Sequence, residues 1–123
     1  MTTYTVDKDG NSIETSKATS KPSNRHFRNA WTLSGTVISE DMTTAKTIFK
    51  DKIREVRKPL LEAQDVLYMK AIEDGDASAQ STIASKKKEF RDAPAASAIT
   101  NATTIAELKS AWNTSLLGAS PYA

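Results

Sequence analysis

From Ser39 to Asp74 the chain reads SEDMTTAKTIFKDKIREVRKPLLEAQDVLYMKAIED, with apolar or small residues at Met42, Ala45, Phe49, Ile53, Val56, Leu60, Ala63, Leu67 and Ala71. Steps of three and four keep that set on one stripe of an α-helix, whereas a strand alternates its faces at every residue. The spacing therefore predicts one helix longer than any other element in the chain. Ser39 is available as its cap, Glu40 and Asp41 suit the positive end of its dipole, and Gly75 ends it. Pro59 interrupts the backbone ladder at a cost of roughly 3 kcal/mol in a helix interior. The apolar register crosses it without slipping, which predicts a single kinked helix, with two abutting helices as the alternative. Beyond the proline, Leu61, Val66, Tyr68, Met69 and Ile72 lie off the main stripe. A helix apolar on two sides needs two partners, the returning chain for one and a neighbouring subunit for the other.

The rest of the chain is read around this rod. Asp74-Gly75-Asp76 makes a turn, and Asp76 caps a second helix over 77–91 that buries Ala79, Ile83 and Phe90, helped by the stems of Lys86 or Lys87. A short loop makes the two helices antiparallel neighbours. The second is about half as long, so the N-terminal half of the rod awaits cover from the preceding hairpin, the C-terminal segment or another chain. Pro94 opens a small-residue connector, and TTIAELKSAW carries a capping box at Thr104 and Glu107 with Ile105, Leu108, Ala111 and Trp112 on one face, predicting a short helix near 104–114. The tail LLGASPYA shows no pattern.

Ahead of the rod, AWTL and TVIS flank Ser34-Gly35, predicting strands at 29–33 and 36–39. A buried indole at Trp31 would need an acceptor for its N–H. Residues 1–25 are polar; Tyr4, Val6 and Ile13 around Asp9-Gly10 fit either a small hairpin over 3–7 and 11–15 or a flexible arm, followed by a linker over 15–24. The fold class is thus mainly α: a helical hairpin over 40–92, a leading β-hairpin over 26–40 and a small C-terminal helix, with 1–25 as an arm and 26–123 as the domain.

The chemistry available is narrow. With no cysteine among 123 residues, disulfides, thiol catalysis, iron–sulfur clusters and Cys-zinc sites are excluded. His26 is the one histidine, and its ionisable neighbours Arg25 and Arg28 do not orient an imidazole for catalysis; a structural or contact role is expected. Asp74 and Asp76 lack the twelve-residue ligand series of a calcium loop. Lys50, Arg54, Arg57 and Lys58, and Lys86-Lys87-Lys88, are interspersed with acids and read as solvated faces rather than a phosphate patch. Seventeen basic against 15 acidic residues leave a formal charge of +2, too balanced for a nucleic-acid binder. No run approaches the about 20 apolar residues of a membrane span, and the start MTTYTVDKDGNS has no secretion-signal pattern. No catalytic, cofactor or metal residue is assigned.

Four blocks in order, RNAWTLSG, AKTIFKDKIREVRKPLLEAQDVLYMKAIEDGD, KKKEFRDAP and ATTIAELKSAW, resemble small proteins encoded beside the tail-fibre genes of tailed bacteriophages. The likeness runs from Arg28 to Trp112. It implies a role at the phage tail, with phage tail or tail-fibre proteins as partners and no catalytic residues to carry over; further copies of the chain are expected only from the second apolar flank of the long helix, and synthesis is expected in the host cytoplasm. Two roles compete: a structural component of the virion tail, and a non-virion chaperone holding fibre subunits during assembly. The residues expected to make those contacts are Phe27, Trp31, Leu61, Met69 and Ile72.

Overall fold

The computed structural model describes residues 3–22 and 25–122. The last two residues of the expected linker, 23–24, lie outside them.

The rod forms as one unbroken helix, α1, Met42–Glu73. Its cap is Asp41, whose carboxylate accepts from the Thr44 amide at 3.3 Å and from the Thr44 hydroxyl. Ser39 instead belongs to the preceding strand. Pro59 sits inside the helix on its exposed side, next to an exposed Lys58 and near an exposed Glu55. The carbonyl it deprives of a donor thus faces water, which lowers the cost of the interruption. Ala45, Phe49 and Ile53 bury fully, and Ala71 nearly so, while Ala63 and Leu67 from the same stripe stay open.

At Gly75 (φ +64°) the chain reverses into α2, Ala77–Asp92, capped by Asp76, whose carboxylate accepts from the Ala79 amide at 3.0 Å. The two helices run antiparallel: Gln80 reaches the Ala71 carbonyl, Lys87 pairs with Asp65 at 2.6 Å, and Arg57 donates to the Phe90 and Arg91 carbonyls at 3.0 Å each. That guanidinium satisfies the carbonyls the C-terminal turn of α2 leaves open. Of the face expected on α2, Phe90 is buried and Ala79 and Ile83 are half-buried.

Beyond α2 the chain folds back over the N-terminal half of α1. A 3-10 turn at Ala93–Ala95 leads to α3, Ser97–Asn101, then α4, Ile105–Ser110, and α5, Thr114–Leu117. The helix expected over 104–114 stops early, and Asn113 caps a new turn by accepting from the Leu116 amide at 3.1 Å. Thr104 accepts from the Glu107 amide as a capping box requires, but Glu107 returns its bond to the Thr103 amide, one residue earlier. Ile99, Leu108, Trp112, Leu116 and Leu117 all enter the core.

Two separate antiparallel hairpins precede α1: β1 (Tyr4–Val6) with β2 (Ser12–Glu14), and β3 (Trp31–Ser34) with β4 (Val37–Glu40). The second is displaced from the expected strands. Arg28–Ala30 is a 3-10 turn, and the two-residue loop is Gly35-Thr36, not Ser34-Gly35. A tight hairpin puts its positive φ on the first loop residue, and Gly35 supplies it at +63°.

The first hairpin is an ordered element rather than a loose arm, because Asp7 clips it to the second. Its carboxylate accepts from the amides of Asp9 and Asn11 at 2.9 Å each, from Asn11 Nδ2 at 3.3 Å and from the Leu33 amide at 3.0 Å. The Lys8 amide adds a bond to the Trp31 carbonyl. The segment after β2 also joins the second hairpin, with Ser20 bridging to Val37.

The core centres on an aromatic group drawn from three distant segments. Tyr122 stacks on Phe27 at 4.8 Å between ring centres and on Phe49 at 5.5 Å, and Trp112 meets Phe49 edge-on at 5.7 Å. His26 lies edge-on to Tyr122 at 5.5 Å. Trp112 Nε1 donates to the Gly118 carbonyl at 3.1 Å, which ties the last turn over the cluster.

Candidate functional site

Because α2 covers one side of α1 and the C-terminal turns cover only its first half, the far end of the rod keeps an open flank. Val66 is 63% exposed, Met69 57%, and Leu67 and Ile72 47% each. Val66, Met69 and Ile72 step by three and so drift over about 120° of the helix circumference. They form an outward ridge, and Leu67 lies on a different flank of the helix. Acids fringe the ridge: Glu62, Glu73 and Asp74 are exposed and make no ion pair among the described residues, and Asp76 is spent on its cap. Lys70 is the basic residue of this end of α1, and Asp65 is neutralised by Lys87.

The five residues expected to contact a partner separate into two groups. Phe27 is fully buried against Phe49 and Tyr122, and Trp31 is 4% exposed on β3. Folding of a single copy already buries almost all of their surface, which departs from the open contact residues expected here, although Trp31 still borders a groove beside the first hairpin. An aromatic residue near a chain reversal looks the same in sequence whether it faces inward or outward. Leu61 is half-buried and packs on the core, while Met69 and Ile72 lie on the open flank.

A second open apolar face lies beyond the opposite end of α1, on the first hairpin. Tyr4 and Val6, two apart and hence on one face of β1, are 60% and 58% exposed. A groove of about 390 Å³ beside them is lined by Arg25, Arg28 and Trp31. Arg25, Arg28 and nearby Lys21 are exposed, and none makes an ion pair among the described residues. Asp7 also lines the groove, but its carboxylate is occupied by the four donors that clip the hairpins.

The titratable groups with displaced pKa values all have structural explanations. Burial pushes the Asp7 carboxyl up, but its bonds from Asn11, Asp9 and Leu33 outweigh this and hold it below the ordinary value. The Thr44 hydroxyl chiefly lowers Asp41, and Thr103 lowers Glu107. Burial raises Glu40 despite the opposing charge of Lys109, and burial with Glu55 nearby raises Tyr122. Glu40 Oε2 and Trp31 Nε1 are buried without a hydrogen-bond partner among the described residues, although the two residues face each other across the β3–β4 ladder.

The basic clusters of the sequence are mostly engaged. Arg54 pairs with Asp51 at 2.8 Å, Lys88 with Asp92 at 2.6 Å, Lys86 lies 3.8 Å from Glu89, and Arg57 caps α2. No group of three or more metal-ligating side chains converges among the described residues, and no helix is long and apolar enough to cross a membrane. A groove of about 590 Å³ beside the core has an apolar floor of Ile53, Ala96 and Leu117, with Glu89 and Asp92 at its edge already facing lysines. Compared with family models, curated proteins and solved structures, the chain gives no significant match.

Proposed function

We propose that this protein works by protein–protein contact through the far end of its helical hairpin, as a structural component associated with a bacteriophage tail. The observation that carries the contact role is the ridge Val66, Met69 and Ile72, open to solvent although the rest of the chain folds over the other half of α1. Single exposed apolar residues are ordinary on a protein surface, but a run of three on one rigid helix, fringed by charge, has the layout of an interface. The tail assignment comes from the resemblance carried by residues Arg28 to Trp112. A non-catalytic reading fits the same surface: the lone histidine packs against Tyr122, and the displaced carboxylates serve caps and turns.

The second reading is a non-virion chaperone for tail-fibre subunits, which would use the same ridge transiently. Particle composition separates the two. Mass spectrometry of purified virions is expected to find the protein at stoichiometric copy number; its presence only in lysates, bound to fibre protein, transfers the assignment to the chaperone. Met69→Asp is expected to abolish incorporation while leaving the circular dichroism and melting temperature of the isolated protein near wild type, because that side chain is outside the core. Normal incorporation of Met69→Asp would mean that the ridge makes no contact with the tail.

A further inference from the structure

The two open apolar faces sit at opposite ends of the molecule and carry opposite charge. One is the ridge Val66, Met69 and Ile72, fringed by Glu62, Glu73 and Asp74; the other is Tyr4 and Val6 beside Lys21, Arg25 and Arg28. Between them lies α1, whose 32 residues span about 48 Å, so one copy cannot fold its own faces together. We infer that the occupant of the ridge is a second copy of this chain, docking by its first hairpin, so that copies associate head to tail. The inference rests on the proposed contact role of the ridge and gives it a specific occupant.

Charge decides between the two ways a second copy can meet the first. A two-fold pairing of ridges would place Glu62, Glu73 and Asp74 of one copy against the same acids of the other, which repel. A pairing of hairpins would oppose Arg25 and Arg28 to themselves. Ridge against hairpin joins an acidic fringe to a basic one and buries apolar surface on both sides. Such a contact is heterologous: it leaves one free face of each kind on every dimer, so growth continues to a ring if the rotation closes and to a filament if it does not. Each face offers only two or three large apolar side chains, which sets the association at the weak end of protein contacts. Its ionic component is screened by salt.

Sedimentation equilibrium of the full chain tests this. At low ionic strength the weight-average mass is expected to rise with concentration past that of a dimer, and to fall back toward the monomer as salt is added. Val6→Asp and Met69→Asp, both at exposed positions, are each expected to remain monomeric with unchanged circular dichroism. Mixed in equal amounts they are expected to form a one-to-one dimer that grows no further, since the intact ridge of the first meets the intact hairpin of the second. A wild-type chain that stays monomeric at high concentration and low salt overturns the inference. So does a dimer abolished by Met69→Asp and untouched by Val6→Asp, the signature of ridge-to-ridge pairing. Either result leaves the tail-contact reading standing, because that is judged by virion composition.

Discussion

Asp7 and Glu40 are two carboxylates with opposite roles, and acidification separates them. Asp7 takes four hydrogen bonds and its folded pKa lies below the ordinary value, so its contribution is complete above that value and is lost as pH falls through the folded one. Below about pH 4 the clip between the hairpins is expected to loosen, seen as faster exchange of the Leu33 amide, while α1 amides stay protected. Asp7→Ala should give the same acceleration at neutral pH; unchanged exchange would show that the hairpins hold without it. Glu40 behaves in the other sense. Its folded pKa is raised, so the folded state favours the protonated acid and loses stability as pH rises from the ordinary carboxylate value through the folded one. Glu40→Gln is expected to stabilise the protein at pH 7 by less than about 1 kcal/mol, the exposed part of the side chain screening the effect. A fall in urea midpoint would instead mean that the Lys109 attraction outweighs burial. Neither role was legible from the sequence, since both depend on which strand lies beside which. A buried Trp31 was expected to find an acceptor, but its indole N–H is buried with none among the described residues.

At the scale of elements, what could be read was what repeats. The stripe on α1, the Asp76 cap and the Thr104–Glu107 spacing are local patterns, and the helices they announce are present. The missed elements, α3 and α5, are only five and four residues long. Such turns have no periodicity of their own; they are helical because Ile99, Leu116 and Leu117 find the core of α1. Pro59 is the one place where local chemistry and the element disagree, and tertiary packing on both sides decides in favour of the helix. Replacing it should therefore release stability. Pro59→Ala restores a backbone donor and removes a poor helix former from an exposed position, and is expected to raise the unfolding free energy by about 1–3 kcal/mol in urea titrations. Part of the gain is offset by the greater freedom alanine allows the unfolded chain. A destabilised Pro59→Ala would mean that the proline shapes α1 to fit α2.

The molecule as a whole is closed by its last turn. Tyr122 is separated from Phe27 and Phe49 by most of the sequence, yet its ring stacks on both and meets Trp112 edge-on. No pattern in LLGASPYA announces this, because a single aromatic residue after a proline carries no period. The consequence is that the hairpin segment, the first half of α1, the end of α2 at Phe90 and the C-terminal turns share one core, while the far end of α1 with the start of α2 lies beyond it. Tyr122→Ala removes a half-buried ring from four aromatic partners and should cost about 2–3 kcal/mol, while Tyr122→Phe keeps the ring and should stay near wild type. Because Phe27 and Phe49 lose a shared neighbour, the alanine variant should also expose apolar surface, read as increased binding of a hydrophobic dye at temperatures below the melt. Self-association through the Met69 ridge should survive that change as long as the chain is folded, since the ridge lies beyond the reach of the cluster along α1. Coupled loss of both would show that the far end of the rod is held in place by the aromatic closure, and that the two halves of the molecule are not independent.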